Sequence, residues 1–406
     1  MLLVVQLVSQ VPREDTPKRL IERVGKLKDE IVRLTCSLVK EKTVNPPGNE
    51  FLAARIVKEF AKKQALKYEV YEKEKGRENV LVSYGEGEKT LVYVTHLDVV
   101  PAGHGWKTDP FNPVVQNGKI YGRGALDDKG PLASALIGLK ALKDEKVELN
   151  GTLIIAALAD EEKGGELGVK YLLEEVGFKP DYAVIVEATG GDAIEIAEKG
   201  VLWLKLTSKG KQAHGSSPEL GVNAILNMCR VLLALEKLKL EYKPHPLLSP
   251  PTISVGVIRG GEAVNIVPAL CESYVDIRYL PSQTPKAIIK QVKAIIENIA
   301  RENPTVNIDV EVKVDIPPTE LNPDHPLVKA IEKAVETSKE VKPRLIGISG
   351  ATDAKHFLLK GIPACVYGPG DPSIAHIADE YVKISELTDA AKVLALTAVN
   401  VLGEKA

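Results

Sequence analysis

TLVYVTHLD (residues 90–98) is the stretch from which the fold is read. Its first five residues are apolar or β-branched, with no polar alternation, so a strand built from them hides both faces, as strands of parallel and mixed sheets do. The run then ends in a histidine and an acid. GTLIIAALAD (151–160) and DYAVIVEA (181–188) follow the same plan. Helical spacing fills the intervals: residues 129–146, then ELGVKYLLEEVG (166–177), closed by Gly177 at its C-terminal end. Upstream, Leu20, Ile21, Val24, Leu27, Ile31, Leu34 and Leu38 predict one amphipathic helix over 17–42. VNPPGN (44–49) ends it, because paired prolines cannot continue a helix. A helix over 50–66 and short strands near 67–73 and 79–84 complete this part.

After residue 191 the pattern changes. Segments 193–198, 201–208, 252–259, 271–280 and 306–315 read as strands, with helices near 221–240 and 284–301. Strand pairs each followed by a helix fit an antiparallel sheet with helices on one face. From about 325 the helix–strand alternation returns, with PACVYGPG (363–370) as the last strand and a helix after it. The expected architecture is therefore an α/β domain with a mixed sheet (1–191 and 316–406), interrupted by an α+β domain with an antiparallel sheet (192–315).

Bulk composition narrows the function. The chain of 406 residues carries 53 Lys plus Arg against 55 Asp plus Glu, a formal charge of −2. Nucleic-acid partners normally require a basic stripe, and this balance speaks against one. Cys36, Cys229, Cys271 and Cys365 lie far apart with no C-x-x-C pair, which predicts reduced thiols rather than a disulfide framework. MLLVVQLVSQ (1–10) lacks a basic n-region and a cleavage site and is too short to span a bilayer. It is expected to form an extra strand or a frayed extension. No segment approaches twenty apolar residues, so no membrane partner is expected, and a cytoplasmic location is.

The chemistry collects where apolar strands end. His96 is followed two residues later by Asp98, and strand periodicity puts both on one face, where a carboxylate can hold the imidazole N–H. YGRGALDDKG (121–130) delivers Asp127 and Asp128 just before a helix, which an N-cap carboxylate would equally explain. LADEEKGG (158–165) sets Asp160, Glu161 and Glu162 side by side; exposed loop acids are common, but crowding favours a cation among them. VIVEAT ends in Glu187, and SIAHIADE holds His376. In α/β sheets ligands bind beyond the carboxyl ends of strands. Two His, one Asp and two or three Glu at that edge suit a pair of Zn²⁺ ions, one carboxylate bridging both.

HLDVVP, GRGALDDKG, the DEE triplet and the late histidine together resemble the motifs of the co-catalytic zinc amidohydrolase and exopeptidase family, over most of the chain from about residue 20. Acetylornithine deacetylase, succinyl-diaminopimelate desuccinylase, aminoacylase and glutamate carboxypeptidase belong to that family. The resemblance implies a zinc-exopeptidase-like catalytic domain and an inserted dimerisation or lid domain. It implies that His96, Asp127 and Glu187 bind one metal, and Asp127, Glu162 and His376 the other, zinc being the expected ion and cobalt or manganese able to use similar ligands. Glu161 would be the general base, Asp98 the orienting partner of His96, and the Asp127–Asp128 peptide cis. From the inserted domain, His214 would stabilise the oxyanion, supplied by the neighbouring subunit of a homodimer. Asn265 and Arg278 would contribute to substrate binding, Arg278 by clasping a substrate carboxylate. Gly350 and Thr352 of GISGATDAKHF would bind the same carboxylate, in a loop where the family often shows Arg in place of His356.

The implied activity is hydrolysis of the amide bond of a small N-acyl amino acid, of the deacetylase or desuccinylase kind. A metallo-exopeptidase acting on short peptides shares the metal centre and stands as the alternative. A non-catalytic metal-binding scaffold would be expected to lack Glu161, which is present.

Overall fold

The computed structural model describes residues 15–405, so the N-terminal stretch expected to form a strand or extension lies outside the described residues. The chain divides into two compact units. One comprises the chain up to Ile196, Leu321–Ile346 and the part from Thr352 onward; the other comprises Ala197–Glu320 and Gly347–Ala351. The first border falls beyond the residue 192 read from sequence because the strand Ala193–Glu198 begins in the first unit's sheet, where Glu195 pairs with Val366. Gly347–Ala351 joins the second unit, where the Ile348 carbonyl accepts the Lys199 N–H at 3.2 Å.

In the first unit, Thr90–His96 lies parallel between Thr152–Leu158 and Tyr182–Ile185, and Ala364–Val366 runs parallel to the latter. Glu78–Tyr84 and Lys67–Glu72 add antiparallel strands on the far side, so the sheet is mixed. Both of its faces are covered. Val92 and Val94 pack with Leu172 and Phe357 on one face. Tyr93 points the other way and its hydroxyl donates to the Leu394 carbonyl at 2.6 Å, in the helix Ile384–Leu402. That helix also packs on Lys129–Asp144, which is buried from Lys129 through Leu142. Gly138 sits at their crossing: a Cβ there would lie 2.9 Å from the Ala391 carbonyl oxygen. Because the three central strands are parallel, His96, Leu158 and Ile185 end at one edge.

Several local readings needed correction. The helix expected over 17–42 is two, Thr16–Lys26 and Lys28–Lys40, broken at Leu27 just after Gly25, a poor helix former. The helix expected over 166–177 is a short α turn, Val169–Tyr171, running into a π turn, Leu172–Val176, that ends at Gly177 with φ 77°. A small sheet was not anticipated: Val114–Gln116 pairs with Lys119–Tyr121, which pairs with Tyr381–Lys383. Three-residue strands show no usable periodicity.

The second unit has a four-stranded antiparallel sheet in the order Thr252–Gly260, Leu270–Tyr279, Gly200–Lys209, Ile308–Ile316. Helices Ala224–Glu236 and Pro285–Glu302, each capped by a side chain (Asn223 and Thr284), cover one face. Leu202, Leu204 and Leu206 alternate onto that face with Met228, Val231, Val292 and Ile296. Among the described residues no helix is long and apolar enough to cross a membrane.

Candidate metal centre

Four parts of the first unit bring their acids and histidines together at the carboxyl edge of the sheet. His96 Nε2 lies 2.9 Å from Asp127 Oδ1, and His376 Nε2 lies 3.0 Å from Asp127 Oδ2. Glu162 Oε1 stands 3.2 Å from His376 Nε2, and Glu161 Oε2 4.0 Å from His96 Nε2. Within the described residues, His96, Glu161 and Glu162 form one group able to share an ion, and Asp127, Glu162 and His376 form another. Glu187 closes neither group, but its carboxyl feels Glu161, His96, Asp128 and Asp127.

Sequence periodicity is not what joins His96 to Asp98. The strand stops at His96, and the ring Nδ1 lies 3.0 Å from the Asp98 backbone carbonyl and 3.4 Å from its carboxylate Oδ1. A carbonyl can only accept, so Nδ1 carries a hydrogen, and Nε2 is the ring nitrogen that faces Asp127. The Asp98 carboxylate is occupied as well: its two oxygens accept the N–H groups of Glu161 and Glu162 at 3.2 Å each, and Oδ2 takes the Asn45 amide at 2.8 Å. Asp128 stands at the N-cap of Lys129–Asp144 but makes no cap bond; its Oδ2 accepts the His96 N–H at 3.1 Å. The Asp127–Asp128 peptide is cis. Asp160 is not part of the cluster: Arg77 pairs with it at 3.1 Å and Asn45 donates to it at 2.9 Å. Asn45 and Arg77, neither flagged from sequence, thus fix the turn from which Glu161 and Glu162 project.

The electrostatics test whether this set suits a cation. Burial, reinforced by Asp353, Glu162 and Asp127, pushes the Glu161 carboxyl above its ordinary range, with His96 opposing. Burial and the Glu161 charge do the same to Glu187. Hydrogen bonds from His376 to Asp127 and Glu162 raise the His376 imidazole to about 10. Burial works against the charge of His96, yet Asp127 and Asp98 outweigh it and hold the ring well above its ordinary value. Negative groups are in excess, and they draw protons where positive charge is short. Imidazole and carboxylate donors in this number and crowding fit divalent ions such as Zn²⁺.

The remaining candidates lie elsewhere. In the first unit, Thr352 is buried and its hydroxyl accepts the Ala354 N–H at 3.1 Å. In the second unit, His214 and Asn265 are exposed on paired segments: Gly215 donates to the Asn265 carbonyl at 2.8 Å, and His214 bridges to Ile266. His214 Nδ1 accepts the Ser216 N–H at 3.1 Å. Arg278 lays the Nε and Nη2 edge of its guanidinium on Asp276 at 2.9 and 3.0 Å. Gly350 is exposed.

Residues 92–400 match the profile of Peptidase family M20/M25/M40. Over 355 residues the chain is 32% identical to a succinyl-diaminopimelate desuccinylase of Nautilia profundicola, covering 85% of this chain and 92% of that one. Over 339 residues it is 32% identical to an acetylornithine deacetylase of Vibrio parahaemolyticus, covering 82% and 86%. Its fold is similar to that of an aminopeptidase from Bacillus cereus (TM-score 0.74, 24% identity, 92% of this chain and 98% of the other). It is also similar to that of a dinuclear metal-binding M20 peptidase from Bacillus subtilis (TM-score 0.71, 15% identity, 93% and 99%). With a profile match over most of its length and a cluster of imidazole and carboxylate donors at the sheet edge, the chain belongs to the M20 family of metal-dependent hydrolases.

Proposed function

We propose that this hydrolase cleaves the amide bond of a small N-acyl amino acid, as a deacetylase or desuccinylase does, with two divalent ions, zinc foremost, held by its own side chains. The observation that carries this reading is the approach of two imidazoles to opposite oxygens of one carboxylate, Asp127. A carboxylate presented in that way is suited to bridge two ions. In this reading His96, Asp127 and Glu187 hold one ion, and Asp127, Glu162 and His376 the other. The sequence relatives that are deacylases support the substrate class over the exopeptidase alternative.

Bound there, the ions would polarise the scissile carbonyl and lower the pKa of a water toward ~7. Glu161 takes the water's proton and passes it to the leaving amine. Glu162 is committed to metal, so the adjacent acid is the one free for proton transfer. Asp98 keeps His96 in the tautomer that presents Nε2. His214, from the partner of a homodimer, stabilises the oxyanion. Asn265 contributes to substrate binding, while Arg278, Gly350 and Thr352 read the substrate's carboxylate, and the edge of Arg278 not engaged by Asp276 is the one available for it.

The test is a panel of N-acetyl and N-succinyl amino acids beside dipeptides, with metal content measured on the same sample. Turnover of the acyl compounds is expected. Turnover of dipeptides alone would favour the exopeptidase, and turnover of neither would overturn the proposal. Replacing Glu161 with Gln should leave metal content unchanged and lower kcat by about 10²–10⁴-fold. Equal rates would mean that another group moves the proton.

A further inference from the structure

The geometry points to Glu380 as a positioning residue that couples the two loops bearing Asp127 and His376, a role that rests on the metal-centre reading above. Glu380 follows His376 by four residues and its side chain is fully buried. Oε1 accepts three main-chain N–H groups of the other loop: Gly124 at 3.0 Å, Leu126 at 2.9 Å and Asp127 itself at 3.2 Å. Oε2 is paired with Arg123 Nη1. The Glu380 carbonyl accepts the Gly122 N–H at 3.0 Å, and the residues that follow pair strand to strand, Tyr381 with Tyr121 and Lys383 with Lys119.

The wrapping of backbone around one carboxylate has a local cause. Gly124, at φ +86°, turns the chain in a way that side-chain-bearing residues rarely adopt, and a Cβ there would lie 2.8 Å from Val99 Cγ1. Arg123 carries the link further. Its side chain is almost fully buried, reaches the Ala102 carbonyl at 3.4 Å and lies 5.3 Å from the Trp106 ring centroid. Both belong to the loop that follows His96. Three ligand-bearing segments therefore meet at one buried ion pair. A metal centre needs its ligands held to about 0.5 Å, and groups that orient ligands typically account for 10–100-fold in metal affinity. Through its three N–H bonds Glu380 fixes the Asp127 backbone relative to the chain that carries His376, without touching the ions.

The experiment titrates the metal-free full-length wild type, Glu380→Gln and Glu380→Ala with Co²⁺ alone. Uptake is followed by competition with a chelating dye and by the visible absorption of the bound ion. Gln keeps an oxygen for the three N–H groups but turns an amide NH₂ toward Arg123. The wild type is expected to take two ions. E380Q is expected to take one of the two about 10–100-fold more weakly, with altered visible bands, and E380A to fall further. Uptake of both ions by E380Q at wild-type affinity with unchanged bands would overturn the inference, whatever happens to its thermal stability. Should neither Glu380 variant fold, Arg123→Lys, which keeps the charge and loses the planar fork, decides on the same readouts. A wild type that takes up no Co²⁺ would instead overturn the metal centre, and this inference with it.

Discussion

Asn45 sits in a loop whose prolines announce only where a helix must stop, yet its amide joins Asp98 and Asp160 across more than fifty and more than a hundred residues. Arg77 reaches Asp160 across 83 residues and Glu380 reaches Gly124 across 256. None of the three is legible in sequence, because each is defined by a partner that only the tertiary fold brings near. His96, Glu161, Glu162 and Glu187 could be picked out because each stands where an apolar run breaks off into polar chain, whereas Asp127 follows a glycine turn before a helix and His376 a short 3₁₀ turn, and these two rest on the resemblance of their motifs. The His96 ring faces both the Asp98 carbonyl at 3.0 Å and the Asp98 carboxylate at 3.4 Å, and side-chain alternation points only to the carboxylate because it says nothing of the backbone beyond the last strand position. His356 leads to a pH prediction. Burial, with Lys355, Lys170 and Lys360 nearby, lowers its imidazole to about 3, and Nε2 finds no hydrogen-bond partner among the described residues. The unfolded chain takes up a proton near pH 6.5 and the folded chain does not, so this group's contribution to stability is present above 6.5 and is lost as pH falls toward 3. The slope is at most about 1.4 kcal/mol per pH unit. His356→Gln should therefore lose less stability than wild type between pH 7.5 and 5 in urea unfolding. Parallel losses would assign the acid sensitivity to other groups.

Among the elements, the long apolar strands were legible because length and β-branching separate them from helices, whereas the three-residue strands around Tyr121 and Tyr381 hold too few residues to show a period. The break at Leu27 was hidden because the apolar stripe continues through it. The contact of Lys129–Asp144 with Ile384–Leu402 depends on Gly138, whose missing side chain lets the Ala391 carbonyl come close. Gly138→Val should force the helices apart and destabilise the protein by about 1–3 kcal/mol. A fall in the thermal midpoint, with wild-type metal content in the fraction that stays folded, is the expected result. An unchanged midpoint would show that the crossing has slack.

For the whole molecule, the second unit offers an edge. Thr252–Gly260 pairs on one side with Leu270–Tyr279, and Val255, Val257 and Ile258 along it are exposed, as are Leu226 and Leu233 on the helix Ala224–Glu236. An apolar edge strand of that kind invites pairing, and the proposed homodimer would use it. Light scattering is expected to give twice the 44.0 kDa chain mass, and Ile258→Lys to shift the protein toward monomer. A wild-type monomer at working concentrations would remove the dimer. The helix Ile384–Leu402 adds a consequence in time. It lies behind the strand that carries His96, bonded through Tyr93, and His376 precedes it by only a few residues. A nascent chain on the ribosome thus acquires most of the acids of the proposed centre long before it gains the second imidazole or the backing of that strand, and the proposed centre is expected to mature only after this helix has emerged and docked.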